Sequence, residues 1–166
     1  VVRPAAIYGP GDQRLLKLFK LAKLPYIPLI GFSEGLYHLI HVEDLVRFMI
    51  YASNENRTNG QVYICGSLKA TSIKRMIMVI ASHMGRKPRF IRVPAWPIFI
   101  VADLCEFICR IAKIEPPIYR RRVAFFTKDR SFNTGKMRTQ ARFVPSISDE
   151  KGLRNLVDWY REKGWL

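Results

Sequence analysis

Cysteine and acidic side chains are the scarce residues of this 166-residue sequence. Its three cysteines, Cys65, Cys105 and Cys109, sit in apolar surroundings and form no C-x-x-C pair, and no His-x-x-x-His partner stands by them. A disulfide framework and a zinc site are thereby excluded, and the cysteines read as buried thiols of a reducing compartment. Asp and Glu number 13 against 28 Lys and Arg, a formal charge of +15 that brings nucleic acid, acidic lipid and phosphate ligands into consideration without choosing among them. A G-x-x-G-x-x-G turn, a Tyr-x-x-x-Lys pair, an initiator Met and a charged leader are missing as well. No secretory signal is visible at this start, and the natural N-terminus is expected upstream. No repeat or low-complexity tract interrupts the chain.

What is present suits one sizeable core. A hydrophobic content of 49% over this length predicts a single globular unit spanning residues 1–166. Val1 to Tyr8 is an apolar, partly β-branched run stopped by Gly9-Pro10-Gly11-Asp12, the pattern of a buried strand leaving through a tight loop. Residues 13–24 place Leu15, Leu16, Phe19 and Ala22 at helical spacing, and a loop through Pro25 and Pro28 follows. Leu36 to Val42 reads as a strand, then Glu43 to Ser53 as a helix with Leu45, Val46, Met49 and Ile50 inward, then a polar turn to Gly60. Gln61 to Cys65 and Phe90 to Val93 read as strands. Thr71 to Met84 reads as a helix with Ile73, Ile77, Ile80 and Ala81 inward, ended by Gly85. An apolar helix from Pro97 to Lys113, a break at Pro116-Pro117, a short helix near 134–141 and a last one from Ser148 to Lys163 complete the pass. Alternating strands and helices predict an α/β fold.

Four stretches fall in an order that carries more than secondary structure. They are Arg3-Pro4 with Tyr8-Gly9-Pro10-Gly11-Asp12, Ile40-His41-Val42-Glu43-Asp44-Leu45, Gly60-Gln61-Val62-Tyr63-Ile64, and Gly152 to Leu166 with its Trp159-Tyr160 and Gly164-Trp165-Leu166. Together they resemble the C-terminal part of extended short-chain dehydrogenases/reductases, the NAD-dependent epimerase/dehydratase superfamily. The resemblance implies the last strands of a Rossmann-like parallel sheet joined to a mainly helical substrate lobe. It also implies NAD or NADP, bound mainly by an N-terminal part on the missing Gly-rich turn, where a helix N-terminus faces the pyrophosphate. The family's catalytic Tyr-x-x-x-Lys pair is absent here, since Tyr119 with Arg122 three residues on lies in the wrong place and lacks the Lys, so no catalytic residue is assigned and the chain alone is expected to be inactive.

By the same resemblance Pro4, Ala5 and Ala6 border the nicotinamide, and Tyr8 and Arg14 face a small-molecule substrate. Read from the residues alone, these positions are a buried strand and a solvent loop. Asp44, at a helix start, suits a structural capping role. His38 and His41 fall on opposite faces of an alternating strand, which favours structural histidines over a metal site.

Departures from the pattern narrow the branch. Where nucleotide-sugar enzymes of the superfamily carry an Asn and an Arg-Asp pair, this chain has Ala6, Tyr37 and His38, which removes charge-assisted contacts to a diphosphate. The Arg3-Pro4-Ala5-Ala6-Ile7-Tyr8 opening resembles the 3β-hydroxysteroid dehydrogenase-like branch, and an apolar alcohol or ketone follows, with a nucleotide-sugar epimerase or dehydratase as the alternative. The Pro97 to Lys113 helix leaves only Asp103, Glu106, Arg110 and Lys113 as a polar stripe. Burial in the lobe, the lining of an apolar pocket and a peripheral membrane contact of a cytoplasmic protein all fit it. Arg120, Arg121 and Arg122, near Lys113, Lys128 and Arg130, support a rival of another class, a non-catalytic module for anionic surfaces; with no aromatic ladder among them, nucleic acid is the least favoured partner. Oligomeric state is not legible in the sequence. Ala141-Arg142 stands where the family has Leu-Gly, so either the helix cap there is strained by about 1 kcal/mol or the helix ends differently.

Overall fold

The structure, a computed structural model, describes residues 1–31, 35–111 and 129–166. The basic run Arg120 to Arg122, Lys113, Lys128 and the Pro116-Pro117 break lie outside those residues. The architecture is α/β, with paired parallel strands and helices laid against them. The apolar run expected as one strand over Val1 to Tyr8 changes partner at Ala5 and becomes two. β1 (Val2–Pro4) runs parallel to β6 (Tyr63–Cys65), and β2 (Ala6–Tyr8) parallel to β5 (Leu39–His41). The switch shows in the backbone, where the Ala5 N–H donates to the Cys65 carbonyl at 2.8 Å and the Ala6 N–H to the His38 carbonyl at 3.1 Å.

The strand expected over Leu36 to Val42 is broken in the same way. β4 (Leu36–Tyr37) pairs antiparallel with β7 (Thr71–Ser72), and His38, whose N–H turns to the Arg130 carbonyl, separates it from β5. Residues 26–30, read as part of a Pro-containing loop, instead form β3 (Tyr26–Ile30), parallel to β8 (Arg89–Val93) from Tyr26↔Arg89 to Ile30↔Val93. Pro28 is tolerated because each strand of a two-stranded ribbon has one edge that needs no donor.

Six α-helices are described: α1 (Leu16–Leu21), α2 (Val42–Asn54), α3 (Ile73–His83), α4 (Ala95–Ile111), α5 (Gly135–Thr139) and α6 (Asp149–Glu162). The start and stop of α3 follow its sequence: the Ser72 hydroxyl accepts the Arg75 N–H at 3.2 Å, and Gly85 adopts φ 72° while the Arg86 N–H closes on the Ala81 carbonyl. The inward face of α2 differs from the one expected. Asp44, Leu45 and Phe48 are buried, whereas Val46, Met49 and Ile50 face outward. Phe48 wins because it meets Tyr63 and Phe143 edge-on, at centroid distances of 5.6 and 5.1 Å.

Two apolar cores result. The larger joins Tyr8, Phe19, Ile27, Ile77, Ile80, Leu153 and Tyr160, so α1, α3 and α6 close over β2 and β3. The smaller sets Ile40, Leu45, Phe48 and Tyr63 against Met137 and Phe143. Burying side chains such as Ile77 and Ile80 contributes about 1.5–3 kcal/mol each. α5 is followed by Arg142 at φ 57°, the left-handed geometry usually given to Gly, so the strained cap is the alternative the chain adopts.

Burial of α4 within the lobe is not what the structure shows. Ala102 and Cys109 are covered, but Trp96 is 67% exposed, Phe107 62%, and Ile100, Val101, Leu104 and Ile108 more than half. Cys65 and Cys109 are buried as expected, while Cys105 is only half-buried. Burial pushes the Cys65 thiol up to about 12, which keeps it protonated.

Candidate substrate-side site

The site grows from the end of β2. Tyr8 closes the strand and Gly9 turns the chain at φ 149°, with a Cβ there 2.7 Å from Val42 Cγ1, so no larger residue fits. Asp12 then organises the loop. Its Oδ1 accepts the Arg14 N–H at 2.8 Å and the Arg14 Nε at 3.0 Å, while Arg14 Nη2 donates to the Ile7 carbonyl at 2.9 Å. The carboxylate raises the pKa of Arg14 further and fixes an otherwise exposed guanidinium. Arg14 is thus folded back onto β2, one residue from Ala6.

Pro4 and Ala6 are exposed at this strand end, and Ala5 is half-buried. Their backbone is held by the Cys65 and His38 carbonyls, and Gly66 lets the neighbouring strand approach: a Cβ there would lie 3.4 Å from those of Ala5 and His38. A cavity of about 440 Å³ opens beside them, lined by His38, Gly66, Leu68, Phe132, Thr134 and Arg138.

The structure does not place Tyr8 with Arg14 on an open surface. Tyr8 is 1% exposed, with its ring edge-on to His41 at 5.3 Å and its hydroxyl against the α6 backbone at Gly152. Among the described residues that hydroxyl has no hydrogen-bond partner. Burial first, then the carboxylates of Asp149 and Asp44, push the phenol pKa upward, so Tyr8 stays neutral. Its direct role is to seat the loop on α6. The seat is completed by the Tyr160 hydroxyl, which donates to the Asp12 carbonyl.

Both histidines have structural partners. His41 caps α2, its Nδ1 accepting the Glu43 N–H at 3.4 Å, and His38 Nδ1 accepts the Phe132 N–H at 2.9 Å. Desolvation lowers the His38 pKa, consistent with a neutral ring that accepts. Asp44 is structural too, though not as a helix cap. Fully buried, it accepts the N–H of Ser146 at 3.0 Å and of Ile147 at 2.8 Å, the Ser146 hydroxyl and Arg47 Nη1, and so ties α2 to the approach of α6.

Three contributors escaped the sequence reading. Asp149, in the first turn of α6, is pushed up to about 6 by burial, against a hydrogen bond from Ser67. It lines a second cavity of about 550 Å³ with Ser67, Leu68, Arg75, Met76 and Ile147. Gly152 stands in the motif that closes the chain, but its reason, contact with Tyr8, lies far upstream in sequence. Tyr160 belongs to the same motif, and nothing local indicates that its hydroxyl reaches Asp12.

Parallel strands that leave through a Gly-Pro-Gly loop under a covering helix place the chain in the Rossmann-like α/β class. No protein-family profile matches the chain. It is 32% identical over its whole length to a ceramide reductase of Caulobacter vibrioides, of which it covers 52%. It is 26% identical over 95% of its length to the decarboxylating sterol-4-alpha-carboxylate 3-dehydrogenase of Schizosaccharomyces pombe, covering 49% of that protein. Among solved structures, that of gox2253 superposes with a TM-score of 0.73 at 20% identity, over 99% of this chain and 49% of the other. The NAD complex of the dTDP-glucose 4,6-dehydratase of Bacillus anthracis gives 0.63 at 19%, over 99% and 45%. The chain is similar to dehydrogenases and reductases of the extended short-chain family, among them a 3β-hydroxysteroid-dehydrogenase/decarboxylase of Arabidopsis thaliana. It spans about half the length of the curated relatives it matches.

Proposed function

We propose that this chain is the substrate-side, C-terminal portion of an NAD(P)-dependent oxidoreductase acting on an apolar secondary alcohol or ketone, sterol-like or of another lipid class. One observation carries the choice of substrate. Where the nucleotide-sugar enzymes have an Arg-Asp pair, Tyr37 and His38 are 4% and 7% exposed, and the His38 Nδ1 is taken by the Phe132 backbone, so neither is offered to a diphosphate. The names of the ceramide reductase and sterol dehydrogenase relatives point the same way.

NAD or NADP, when bound, accepts or supplies the hydride. The residues assigned beside it fit a flat ring: Pro4 and Ala6 are exposed, short and apolar, and the backbone N–H groups of Ala5 and Ala6 are already engaged. Arg14 is the substrate-facing cation of the loop, and Tyr8 acts from beneath by holding that loop in place. The acid-base Tyr and Lys belong to a preceding portion. The nucleotide-sugar reading remains the alternative that the assay must separate.

We also propose that α4 makes a peripheral membrane contact. Among the described residues no helix is long and apolar enough to cross a membrane, yet Trp96, Ile100, Leu104 and Phe107 project outward along one side of α4.

The test is a coupled NAD(P)H assay of the longer protein that contains this chain, over a panel of sterols, long-chain keto-lipids and UDP-sugars. Preferred turnover of the apolar panel is expected, and preference for a UDP-sugar would refute the substrate reading. The 166-residue chain alone is expected to show no micromolar NAD(P)H binding by calorimetry, and such binding would refute the assignment of the cofactor site to a preceding portion.

A further inference from the structure

Carboxylates are not merely scarce in this sequence; they are unevenly spread. None occurs between Asp12 and Glu34, nor between Glu55 and Asp103. The fold brings these two acid-free stretches side by side. β3 pairs with β8 along their full length, α1 packs on α3, the Arg89 N–H donates to the Pro25 carbonyl at 2.8 Å, and Arg86 Nη1 donates to the Lys23 carbonyl at 2.7 Å. Lys20, Lys23, Arg86, Lys87 and Arg89 therefore collect at one corner, where no carboxylate of the described residues pairs with them. Two carboxylates of α6 do reach α3, but they are engaged elsewhere, Glu150 with Arg75 and Asp158 with His83.

Apolar side chains are interleaved with these cations. Leu24, Tyr26 and Ile91 are each close to half exposed or more, and Tyr26 stands in register with Arg89. β8 then passes through Pro94 directly into α4 and its exposed Trp96. A nucleic-acid backbone would satisfy the charge and leave Leu24, Ile91 and α4 in water. An acidic bilayer takes both, with headgroup phosphates and carboxylates against the cations and the interfacial layer against the apolar groups.

We propose that the corner built from α1, the β3–β8 ribbon and the turn after α3 is a docking surface for an anionic lipid bilayer. It selects membrane charge, whereas α4 supplies apolar insertion; in joining the two it rests on the membrane reading of α4. The pairing presents a lipid substrate from the side on which it is dissolved.

Vesicle flotation of the chain separates the two contributions, using phosphatidylcholine alone and a mixture with one third phosphatidylserine. With each surface cation worth about fivefold in partitioning, Lys20→Glu, Lys87→Glu and Arg89→Glu together should lower binding to the acidic vesicles by more than about a hundredfold, since the new carboxylates are repelled as well, and leave binding to neutral ones unchanged. Added salt should do the same to the unmodified chain, a readout that needs no variant to fold. Ile100→Asp with Phe107→Asp should remove neutral-vesicle binding and retain the preference for phosphatidylserine. If that pair changes nothing while the charge preference persists, the α4 reading falls and the basic corner stands. Equal binding of the unmodified chain to both vesicle types, or a charge-reversed chain that binds acidic vesicles as before, overturns the proposal. So does displacement from acidic vesicles by a short RNA duplex at concentrations that bind the chain tightly.

Discussion

Replacing Gly152 by Ala tests whether Tyr8 seats the substrate loop on α6. In a solvent-facing helix this change gains about 1 kcal/mol, because Gly forfeits more backbone entropy on folding. At this position the new Cβ would overlap the Tyr8 hydroxyl and lie 2.8 and 2.9 Å from Cζ and Cε2 of the ring. Tyr8 cannot withdraw, being 1% exposed with His41 at its edge. Overpacking of this kind costs about 1–3 kcal/mol and exceeds the helix gain where the neighbour is fixed. A net loss of about 2 kcal/mol is expected, or about 4–8 °C in Tm for a chain of this size. Tyr8→Phe supplies the control. The hydroxyl it removes has no partner among the described residues, so the change should be neutral or stabilising, where a bonded Tyr would lose about 1 kcal/mol. Combined with Tyr8→Phe, the Gly152→Ala change should cost about 1 kcal/mol less, since the worst overlap is gone. Urea unfolding of the parent, the two single variants and the double variant, with m-values compared, gives the coupling. A Gly152→Ala chain as stable as the parent, or a cost identical with and without the Tyr8 hydroxyl, would refute the reasoning.

Arg142→Gly should stabilise the chain by about 0.5–1 kcal/mol, because Arg142 holds φ 57° with an exposed side chain that Gly can give up; a loss of stability in the same urea titration would show that the side chain matters more than its backbone. Asp149 titrates near 6 when folded against an ordinary value of 3.8, so its contribution to stability is full below about pH 4 and is lost as pH rises through 6, by up to about 3 kcal/mol. Asp149→Asn abolishes that dependence, and its stability relative to the parent should rise by about 2 kcal/mol between pH 4 and pH 8; a difference independent of pH, or a carboxyl carbon titrating near 4 by NMR, would contradict the burial argument.

Much of this fold was legible where local chemistry and tertiary packing agree. The Ser72 to Gly85 helix carries its own start, stop and apolar stripe, and the structure moves its limits by only a residue or two. β3 was hidden because Pro25 and Pro28 read as loop, and only a ribbon with free edges makes Pro28 acceptable. The stripe of α2 was misplaced because Val46, Met49 and Ile50 satisfy helical spacing as well as Asp44, Leu45 and Phe48 do. What decides between them is the distant pair Tyr63 and Phe143. The candidate site divides the same way. The loop signature at Tyr8 to Asp12 identified the region, and the resemblance suggested roles. That Tyr8 points inward depends on Gly152, and that Asp44 binds the 146–147 backbone depends on contacts about a hundred residues away, which no window of sequence displays.

Those long-range ties set an order of events during synthesis. Asp44 waits for Ser146 and Ile147, the Tyr8 ring for Gly152, and the Asp12 carbonyl for Tyr160. Until Tyr160 has left the ribosome, β2 and the loop that carries Arg14 have their backbone but not their roof, and the Asp44 carboxylate and the Tyr8 phenol stand exposed. Closing loops of that length is slow compared with forming α3 or α6, so the substrate side should be the last region to become resistant to proteases in a nascent chain.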